Sequence, residues 1–515
     1  MQRKFKNIYF YPNGEDTQAA LVILKNLQKK LGLEQNFLIL DDAKVESSLV
    51  ENKEKILQNG VLWIIHQDKN IYEILEKKAK ILPREFVFNG IEEIDRILFE
   101  CLKKVEFSEI KKNTTNETFL FLSLTSYFVL QFYLTLKEKS LLLQELEDLS
   151  KKISAYFRDL FKIPPKCIGV AVTTFANNKH LGNIAKKLEE KGAKVIYVYG
   201  SQESYEKIPQ AQKHKCILLP LQMSYMGNFF TIFEVFITCL MPLTSPSWGN
   251  RTIYVPHAFI DPIAALIQRK RPLDDFWFQR KMGINGYRII SSLSNYRIYQ
   301  DKFKEYGFEE ELVCGGYPSL DANIFEYDKL KEQSGISILI AINHYESLKI
   351  IKDFLLEYQS FHARQKVYFR PHPIGNILRK ESDEIAKEYA KFPWFIYDTT
   401  SKLEAQIMRE CCCVIGDYSS LVYTFPLTTL KPAILLCQDK SILENNYLGI
   451  KFYNSILHKS AFSGKECLKK VQEILTEDRE VRANQIREYR EKEVFNLGNS
   501  SEFIANFVLE KTLKG

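Results

Sequence analysis

The sequence predicts an α/β protein made of several parallel sheets, and three observations support this prediction. Short apolar runs of strand length alternate with amphipathic helical segments along most of the chain. Pro164-Pro165 and Gly335 interrupt this alternation and divide it into consecutive units. With 515 residues, 45% of them hydrophobic, the chain is long enough to bury two or three separate cores.

Residues 1–105 are predicted to form a small N-terminal α/β domain. Its expected strands are 7–11, 37–40, 61–65 and 85–88, and its expected helices are 18–31, 71–80 and 91–104. No glycine-rich phosphate loop follows the first strand, so we interpret this unit as an accessory domain. Residues 106–164 have helical patterns and are predicted to be a helical connector.

Two Rossmann-type domains are expected next, at residues 165–333 and 334–515. Strand patterns of the first lie at 168–172, 195–199, 216–221, 252–255, 288–291 and 312–314, and those of the second at 336–341, 366–369, 394–396, 412–415 and 433–436. A charged helical tail follows. This succession is the architecture of GT-B transferases, in which we expect an acceptor-side domain followed by a nucleotide-donor domain. Ligands of open α/β sheets bind beyond the carboxyl ends of the strands.

Charge and composition restrict the partners. The formal net charge of +7 is spread along the chain, which fits anionic substrates or an acidic membrane surface and gives no indication of nucleic acid binding. The ten cysteines have no zinc spacing, and no cluster of metal ligands is evident, so we predict no metal and no cofactor other than a nucleotide-activated donor. The chain begins without a secretory signal pattern, and the apolar window 118–136 contains polar interruptions. We therefore expect a cytoplasmic protein, with peripheral contact at the inner face of the membrane as a further expectation.

Polar residues that follow predicted strands are the candidate site. Three of the eight histidines come directly after apolar runs of the last two domains: His257, His344 (which follows Asn343) and His372 (which follows Arg370-Pro371). The sequence Asp417-Tyr418-Ser419-Ser420 comes between a strand and a helix, where N-capping side chains and unpaired N–H groups attract phosphate. A base from one sheet that faces cations and N–H groups from another suits transfer of a phosphate-linked group.

These residues resemble motifs of the CDP-glycerol glycerophosphotransferases, the family that includes teichoic acid and capsule polymerases. The resemblance covers roughly residues 165–445. Its five motifs, in order, are Pro256-His257, Ser291-Ser292, Gly316-Tyr317-Pro318-Ser319-Leu320-Asp321, Arg370-Pro371-His372-Pro373, and Gly416-Asp417-Tyr418-Ser419-Ser420 with Phe425 and Lys431-Pro432 downstream.

The resemblance implies a GT-B fold and a peripheral enzyme of cell-surface polymer synthesis, acting on a glycan or lipid-linked acceptor. By it, His257 would be the general base for the acceptor hydroxyl. His372 and Arg370 would bind the donor diphosphate, and the Ser419-Ser420 pair would hold phosphate oxygens in a loop that Asp417 shapes. The remaining site candidates are Asn343, His344, Tyr418, Tyr317 and Asp321.

Two alternatives stay open, because the motifs depart from the family at several positions: Ala258 stands where the family has Gly, and Ser319 where it has Arg. One alternative is a glycosyltransferase that uses a CMP-linked acidic sugar or a UDP-sugar. In that case Asp261 or Asp321 would compete with His257 as the base. The other is a non-catalytic, nucleotide-binding assembly protein.

Overall fold

The computed structural model describes most of residues 5–100, the segments 162–172, 179–199, 205–218, 233–239 and 251–260, and most of residues 286–513. The described residues before and after position 164 form two compact units, which are treated separately below. None of the helices described is both long and apolar enough to cross a membrane. The apolar window 118–136 and the predicted connector at 106–164 lie almost wholly outside the described residues.

The first unit contains a parallel four-stranded sheet in the order β2-β1-β3-β4. Its central strand β3 is buried along its whole length, as expected for a strand covered on both faces. The parallel α/β prediction for this unit is therefore confirmed, while its predicted helices 18–31 and 91–104 lie largely outside the described residues. Its elements are β1 (Asn7–Tyr11), β2 (Asn36–Ile39), α1 (Lys53–Asn59), β3 (Gly60–Ile64), α2 (Lys69–Ala79) and β4 (Val87–Asn89).

The second unit begins with a parallel sheet whose described strands have the order β11-β10-β9-β8-β5-β6-β7. Strand β8 is absent from the sequence prediction, because Val235–Thr238 lies inside the longer, mainly apolar run 229–241, which does not show where a short strand begins and ends. The elements are β5 (Cys167–Val172), α3 (Ile184–Glu190), β6 (Lys194–Tyr199), β7 (Cys216–Leu218), β8, β9 (Arg251–Tyr254), β10 (Gly286–Ile289), α4 (Leu293–Tyr306), β11 (Glu311–Val313) and α5 (Pro318–Asp328).

A second parallel sheet of the same unit has the order β14-β13-β12-β15-β16-β19. Its central strand β15 is completely buried, and the predicted strands 336–341, 366–369, 394–396, 412–415 and 433–436 are confirmed within a residue or two. The elements are β12 (Ser337–Ala341), α6 (Ser347–Ser360), β13 (Val367–Phe369), α7 (Asn376–Tyr389), β14 (Phe395–Tyr397), α8 (Ala405–Glu410), β15 (Cys411–Gly416), α9 (Leu421–Thr429), β16 (Ala433–Leu436), α10 (Ser441–Glu444), β17 (Asn446–Tyr447), β18 (Ile450–Lys451), β19 (His458–Ala461), α11 (Gly464–Thr476), α12 (Arg479–Glu493) and α13 (Ser500–Leu513).

The last helix, α13, returns to the earlier sheet. Its apolar residues Ile504, Ala505 and Val508 are fully buried in the core that β5 and β9 also build. On its outer side, Glu502 forms ion pairs with Lys187 at 3.5 Å and with Lys191 at 2.5 Å, both at or just beyond the end of α3. The C-terminal segment therefore joins the two Rossmann-type sheets into one unit.

His458, in the edge strand β19, is a buried structural residue with a defined tautomer. Its Nδ1 accepts the backbone N–H of Asn454 at 3.1 Å, so that nitrogen carries no proton. Its Nε2 lies 3.1 Å from the carbonyl oxygen of Val422 and therefore donates to it. Burial lowers the pKa of His458 from 6.5 to about 3, because a charged imidazolium would lose its hydration.

This burial predicts a loss of stability in acid. Since the folded-state pKa lies below the unfolded value, the stabilisation is complete above pH 6.5 and declines as the pH falls towards 3. Between pH 7 and pH 5 the domain should lose about 2 kcal/mol of unfolding free energy through this residue. Urea unfolding followed by the fluorescence of Trp394, the single tryptophan of residues 334–515, measures the change.

His458→Gln should remove this part of the pH dependence, whatever its effect on stability at pH 7. The exposed His214 offers a matched control, and His214→Gln should keep the full acid loss. Identical pH dependence in wild type and His458→Gln would contradict the assignment.

Candidate active site

The loop that carries His257 lies at the boundary between the two Rossmann-type sheets, beyond the carboxyl end of β9. Its residue Phe259 is held from both sides. The Phe259 N–H donates to Ser420 Oγ at 2.9 Å, and its carbonyl oxygen accepts from Ser291 Oγ at 3.0 Å and from Asn295 Nδ2 at 2.7 Å. Because both backbone groups of Phe259 are satisfied by side chains, the conformation of the loop is fixed.

His257 is half-buried and has two close polar neighbours. The hydroxyl of Tyr254 lies 3.4 Å from its Nδ1. The ring of His180 stands nearly perpendicular to it, with the ring centroids 6.2 Å apart. His180 in turn has its Nδ1 2.8 Å from the hydroxyl of Tyr317. The structure thus brings together His257 and Tyr317, both predicted, with a histidine that the sequence analysis did not select.

His180 is neutral at ordinary pH. Burial is the main reason that its pKa is lowered to about 3, and the nearby charges of Lys179 and His257 contribute to the same shift. The sequence analysis missed this residue because His180 does not follow an apolar run directly: several residues separate it from the end of β5. Its position after the central strand of an open sheet was the one signal that could have found it.

Arg370 follows β13 and is held rigidly by the turn after β14. Its Nη1 donates to Asp398 at 2.5 Å and to Thr400 Oγ1 at 2.8 Å, while its Nη2 donates to the Thr400 carbonyl at 2.7 Å. Burial alone would raise the pKa of Asp398, but the hydrogen bonds from Thr400 and the Arg370 charge lower it overall. Arg370 is therefore a permanently charged, preoriented group at the carboxyl ends of the donor-side strands.

Further basic side chains lie close to Arg370. Partial burial lowers the pKa of His372, and the charges of Lys179 and Arg370 add to this effect. The pKa of Lys179 is itself lowered by the surrounding protein and by the charges of Arg370 and Lys402. Lys179 comes from the β5 side, whereas the others come from the second sheet, so the cations converge from both domains. An anion placed among them would relieve their mutual repulsion.

Asp417 is completely buried and holds the loop that carries Asn343 and His344. Its carboxylate accepts the backbone N–H groups of Asn343 at 3.0 Å and of His344 at 2.8 Å. Burial raises the pKa of Asp417, although these hydrogen bonds act in the opposite direction. The side chain ties the carboxyl end of β12 to that of β15, which agrees with a loop-shaping role and leaves donor contact to its neighbours.

The structure separates the two serines that the sequence assigned together to phosphate. Ser420 accepts from Phe259 and thereby joins α9 to the His257 loop. The hydroxyl of Ser419 is buried and has no hydrogen-bond partner in the described part of the chain. The ring of Tyr418 packs edge-on against His344, with centroids 6.0 Å apart. The two hydroxyl groups therefore have different surroundings, although they are adjacent in sequence.

The structure describes one of the two alternative bases. Asp261 lies outside the described residues. Asp321 accepts the N–H groups of Gly498 at 2.7 Å and Ser500 at 2.8 Å, one on each carboxylate oxygen. Since this contact holds the start of α13, we assign Asp321 a structural role. Within the residues that the structure describes, no group of three His, Cys, Asp or Glu side chains could hold a metal ion.

Comparison with known proteins gives similarities of structure only. No family model and no curated protein sequence matches the chain. Among solved structures, the wall teichoic acid polymerase TagF, soaked with CDPG, is 13% identical with a TM-score of 0.49 and covers 75% of this chain and 98% of its own. UDP-GlcNAc 2-epimerase from Methanocaldococcus jannaschii is 12% identical with a TM-score of 0.44, covering 67% and 99%. The glycotransferase of kitacinnamycin is 9% identical with a TM-score of 0.41, covering 68% and 100%.

At these identities the comparisons concern the fold alone, and the fold is established by the sheets themselves. Two parallel sheets with helices follow one another in one compact unit, and the C-terminal helix returns to the first of them. The chain is an α/β protein with a GT-B-like pair of Rossmann-type domains, similar in structure to a wall teichoic acid polymerase and to nucleotide-sugar enzymes.

Proposed function

We propose that this protein is a transferase that moves a phosphate-linked group, glycerol phosphate or a close analogue, from a CDP-activated donor to an acceptor hydroxyl. One observation carries the proposal: His257 and His180 of one sheet lie near Lys179, whose pKa is lowered by burial and by the charges of Arg370 and Lys402 from the other sheet. A donor diphosphate supplies the negative charge that such a cluster requires.

In the proposed reaction, His257 takes the proton of the acceptor hydroxyl. The acceptor oxygen forms a bond to the phosphorus of the transferred group, and the bond from that phosphorus to the bridging oxygen breaks. CMP leaves with the electron pair of that bond. A ring held through Nδ1 by Tyr254 would receive the proton at Nε2.

The donor-side groups bind and stabilise the leaving phosphate. Arg370, fixed by Asp398 and Thr400, presents its charge without having to reorganise. His372 and Lys179 add hydrogen-bond donors, and the pKa of each is lowered in part by the charges of neighbouring basic groups. The buried hydroxyl of Ser419 gains a partner when a phosphate oxygen reaches it.

The acceptor and setting follow from the motif resemblance and are part of the same proposal. A glycan or lipid-linked acceptor of a teichoic-acid-like or capsule polymer would approach from the His257 side. Such an acceptor would bring the protein to the inner face of the membrane as a peripheral enzyme.

A glycosyltransferase that uses a nucleotide sugar is the competing function. There the bond would break at an anomeric carbon, and a carboxylate would be the expected base. The engagement of Asp321 with Gly498 and Ser500 favours His257, and therefore phosphate-linked transfer.

The experiment is a donor screen with purified wild type and His372→Ala. CDP-glycerol, CMP-sialic acid, CMP-Kdo and several UDP- and GDP-sugars are compared for thermal protection and for slow release of the nucleotide. Protection of the wild type by CDP-linked donors, with release of CMP, is the expected result. Selective use of a CMP- or UDP-sugar would replace the proposal with the glycosyltransferase function, and inactivity with every donor would favour a non-catalytic protein.

A further inference from the structure

A cavity of about 670 Å³ lies at the opposite edge of the second sheet from Arg370 and Ser419. Its lining includes Gly335, just before β12, Cys412, near the start of β15, and Pro432, just before β16. These are the amino ends of parallel strands, whereas His372 and Ser419 follow the carboxyl ends. The volume falls in the range of small-molecule sites, roughly 300–1,000 Å³. The cavity is therefore separate from the proposed active site.

The lining of this cavity is rich in cations. Six basic side chains face three acidic ones, Asp328, Glu477 and Glu480, and Arg482 already uses its guanidinium to bind Glu477 at 2.7 Å. Burial lowers the pKa of Lys431 to about 8, and the charges of Arg409 and Arg479 contribute to the shift. The basic residues are Arg409, Lys431, Arg479, Arg482, Arg487 and Arg490.

Three buried polar atoms that belong to lining residues have no hydrogen-bond partner among the described residues. Arg409 is only 9% exposed and donates through Nη2 to the carbonyls of Tyr327 and Leu330, yet its Nε has no acceptor among the described residues. The hydroxyl of Thr428, a residue that is 2% exposed, and the Nε of Arg490 are also buried and have no hydrogen-bond partner among the described residues. Buried donors without acceptors are costly, and folded proteins rarely keep them without a ligand, a water or a strained role.

We propose that this cavity binds a phosphate-bearing small molecule of up to nucleotide size. Phosphate oxygens carry negative charge and act only as acceptors, so they match a lining that has six basic side chains and three acidic ones. Arginine presents its N–H groups in a planar fork that suits phosphate better than an ammonium does. This site is additional to the donor cleft and does not depend on the function proposed for that cleft.

The test is calorimetric titration of the full chain with pyrophosphate, CDP and ATP at fixed ionic strength. The double variant Arg479→Ala/Arg487→Ala removes two basic side chains from the lining of the cavity. The control, Lys469→Ala/Lys492→Ala, also removes two positive charges, from the exposed surfaces of α11 and α12 outside the lining. A third variant, Lys179→Ala/Lys402→Ala, weakens the cleft instead.

We expect wild type and the surface control to bind pyrophosphate at two sites. Arg479→Ala/Arg487→Ala should weaken one of them by about tenfold or more, the effect of losing a charge-assisted hydrogen bond. That site should persist in Lys179→Ala/Lys402→Ala. Equal affinities for pyrophosphate and the nucleotides would assign it to inorganic polyphosphate, and tighter nucleotide binding would assign it to a nucleotide. Binding that survives Arg479→Ala/Arg487→Ala but disappears in Lys179→Ala/Lys402→Ala would place the anion in the cleft alone and overturn the proposal.

Discussion

The His257→Ala variant is expected to lose about a hundredfold to ten-thousandfold of the transfer rate, the usual contribution of a positioned general base. No other described side chain at this point can take over, because the adjacent His180 is kept neutral with a pKa of about 3 and is a much weaker base. The loss should fall on kcat, while the affinity for the donor stays nearly constant, since the groups proposed to bind the donor phosphates do not include His257.

Steady-state release of CMP from the donor identified by the screen measures this effect. His214→Ala is a matched control, because His214 is exposed and comes just before β7, at the amino edge of the same sheet. It should keep wild-type activity. A His257→Ala variant with normal kcat would remove His257 from the chemistry and leave the donor site in place.

The Asp417→Ala variant is expected to cost about 3 kcal/mol of unfolding free energy, because buried N–H groups lose a charged acceptor. The groups are those of Asn343 and His344, and the carboxylate that satisfies them is fully buried. Once the carboxylate is absent, the loop after β12 is free to separate from the turn after β15. Activity should then fall together with stability, unlike in His257→Ala.

Urea unfolding followed by Trp394 fluorescence gives the change in stability. Asp301→Ala, which removes an exposed carboxylate from α4, should stay within about 0.5 kcal/mol of wild type. An Asp417→Ala protein as stable as wild type but unable to bind the donor would show instead that Asp417 contacts the ligand.

The strands could be predicted from the sequence where they are central and apolar. Strands β12, β15 and β16 are buried on both faces, so that continuous apolar runs reveal them. Edge strand β19 was missed, because its sequence His-Lys-Ser-Ala lacks the apolar run that is typical of a buried strand. It forms a strand by pairing with β16 on one side. Strand β8 was missed for the opposite reason, since apolar residues surround it.

The sequence selected candidate site residues that follow a strand closely. His257 and Arg370 are such residues, and the parallel order of the sheets places both at carboxyl edges. His180 and Lys179 could not be found in this way, because a segment of chain separates them from β5 and only folding returns them to His257 and Arg370. The sequence likewise could not distinguish Ser419 from Ser420. They differ because the Phe259 N–H donates a hydrogen bond to Ser420 Oγ, a contact that forms only in the folded protein.

The α/β class, the succession of parallel sheets and the strand-end motifs can be read from the sequence, because hydrophobic periodicity and turn residues act locally. Which of the strand-end residues hold the loops in place depends on contacts that form only in the folded protein. Asp417 and Asp321 are examples, because in the folded protein their carboxylates accept backbone N–H groups of distant loops. Lys179 and Arg370 are 191 positions apart in numbering, yet they lie close enough in space for the Arg370 charge to lower the pKa of Lys179. Such charge effects depend on distance in space, which the order of residues along the chain does not specify.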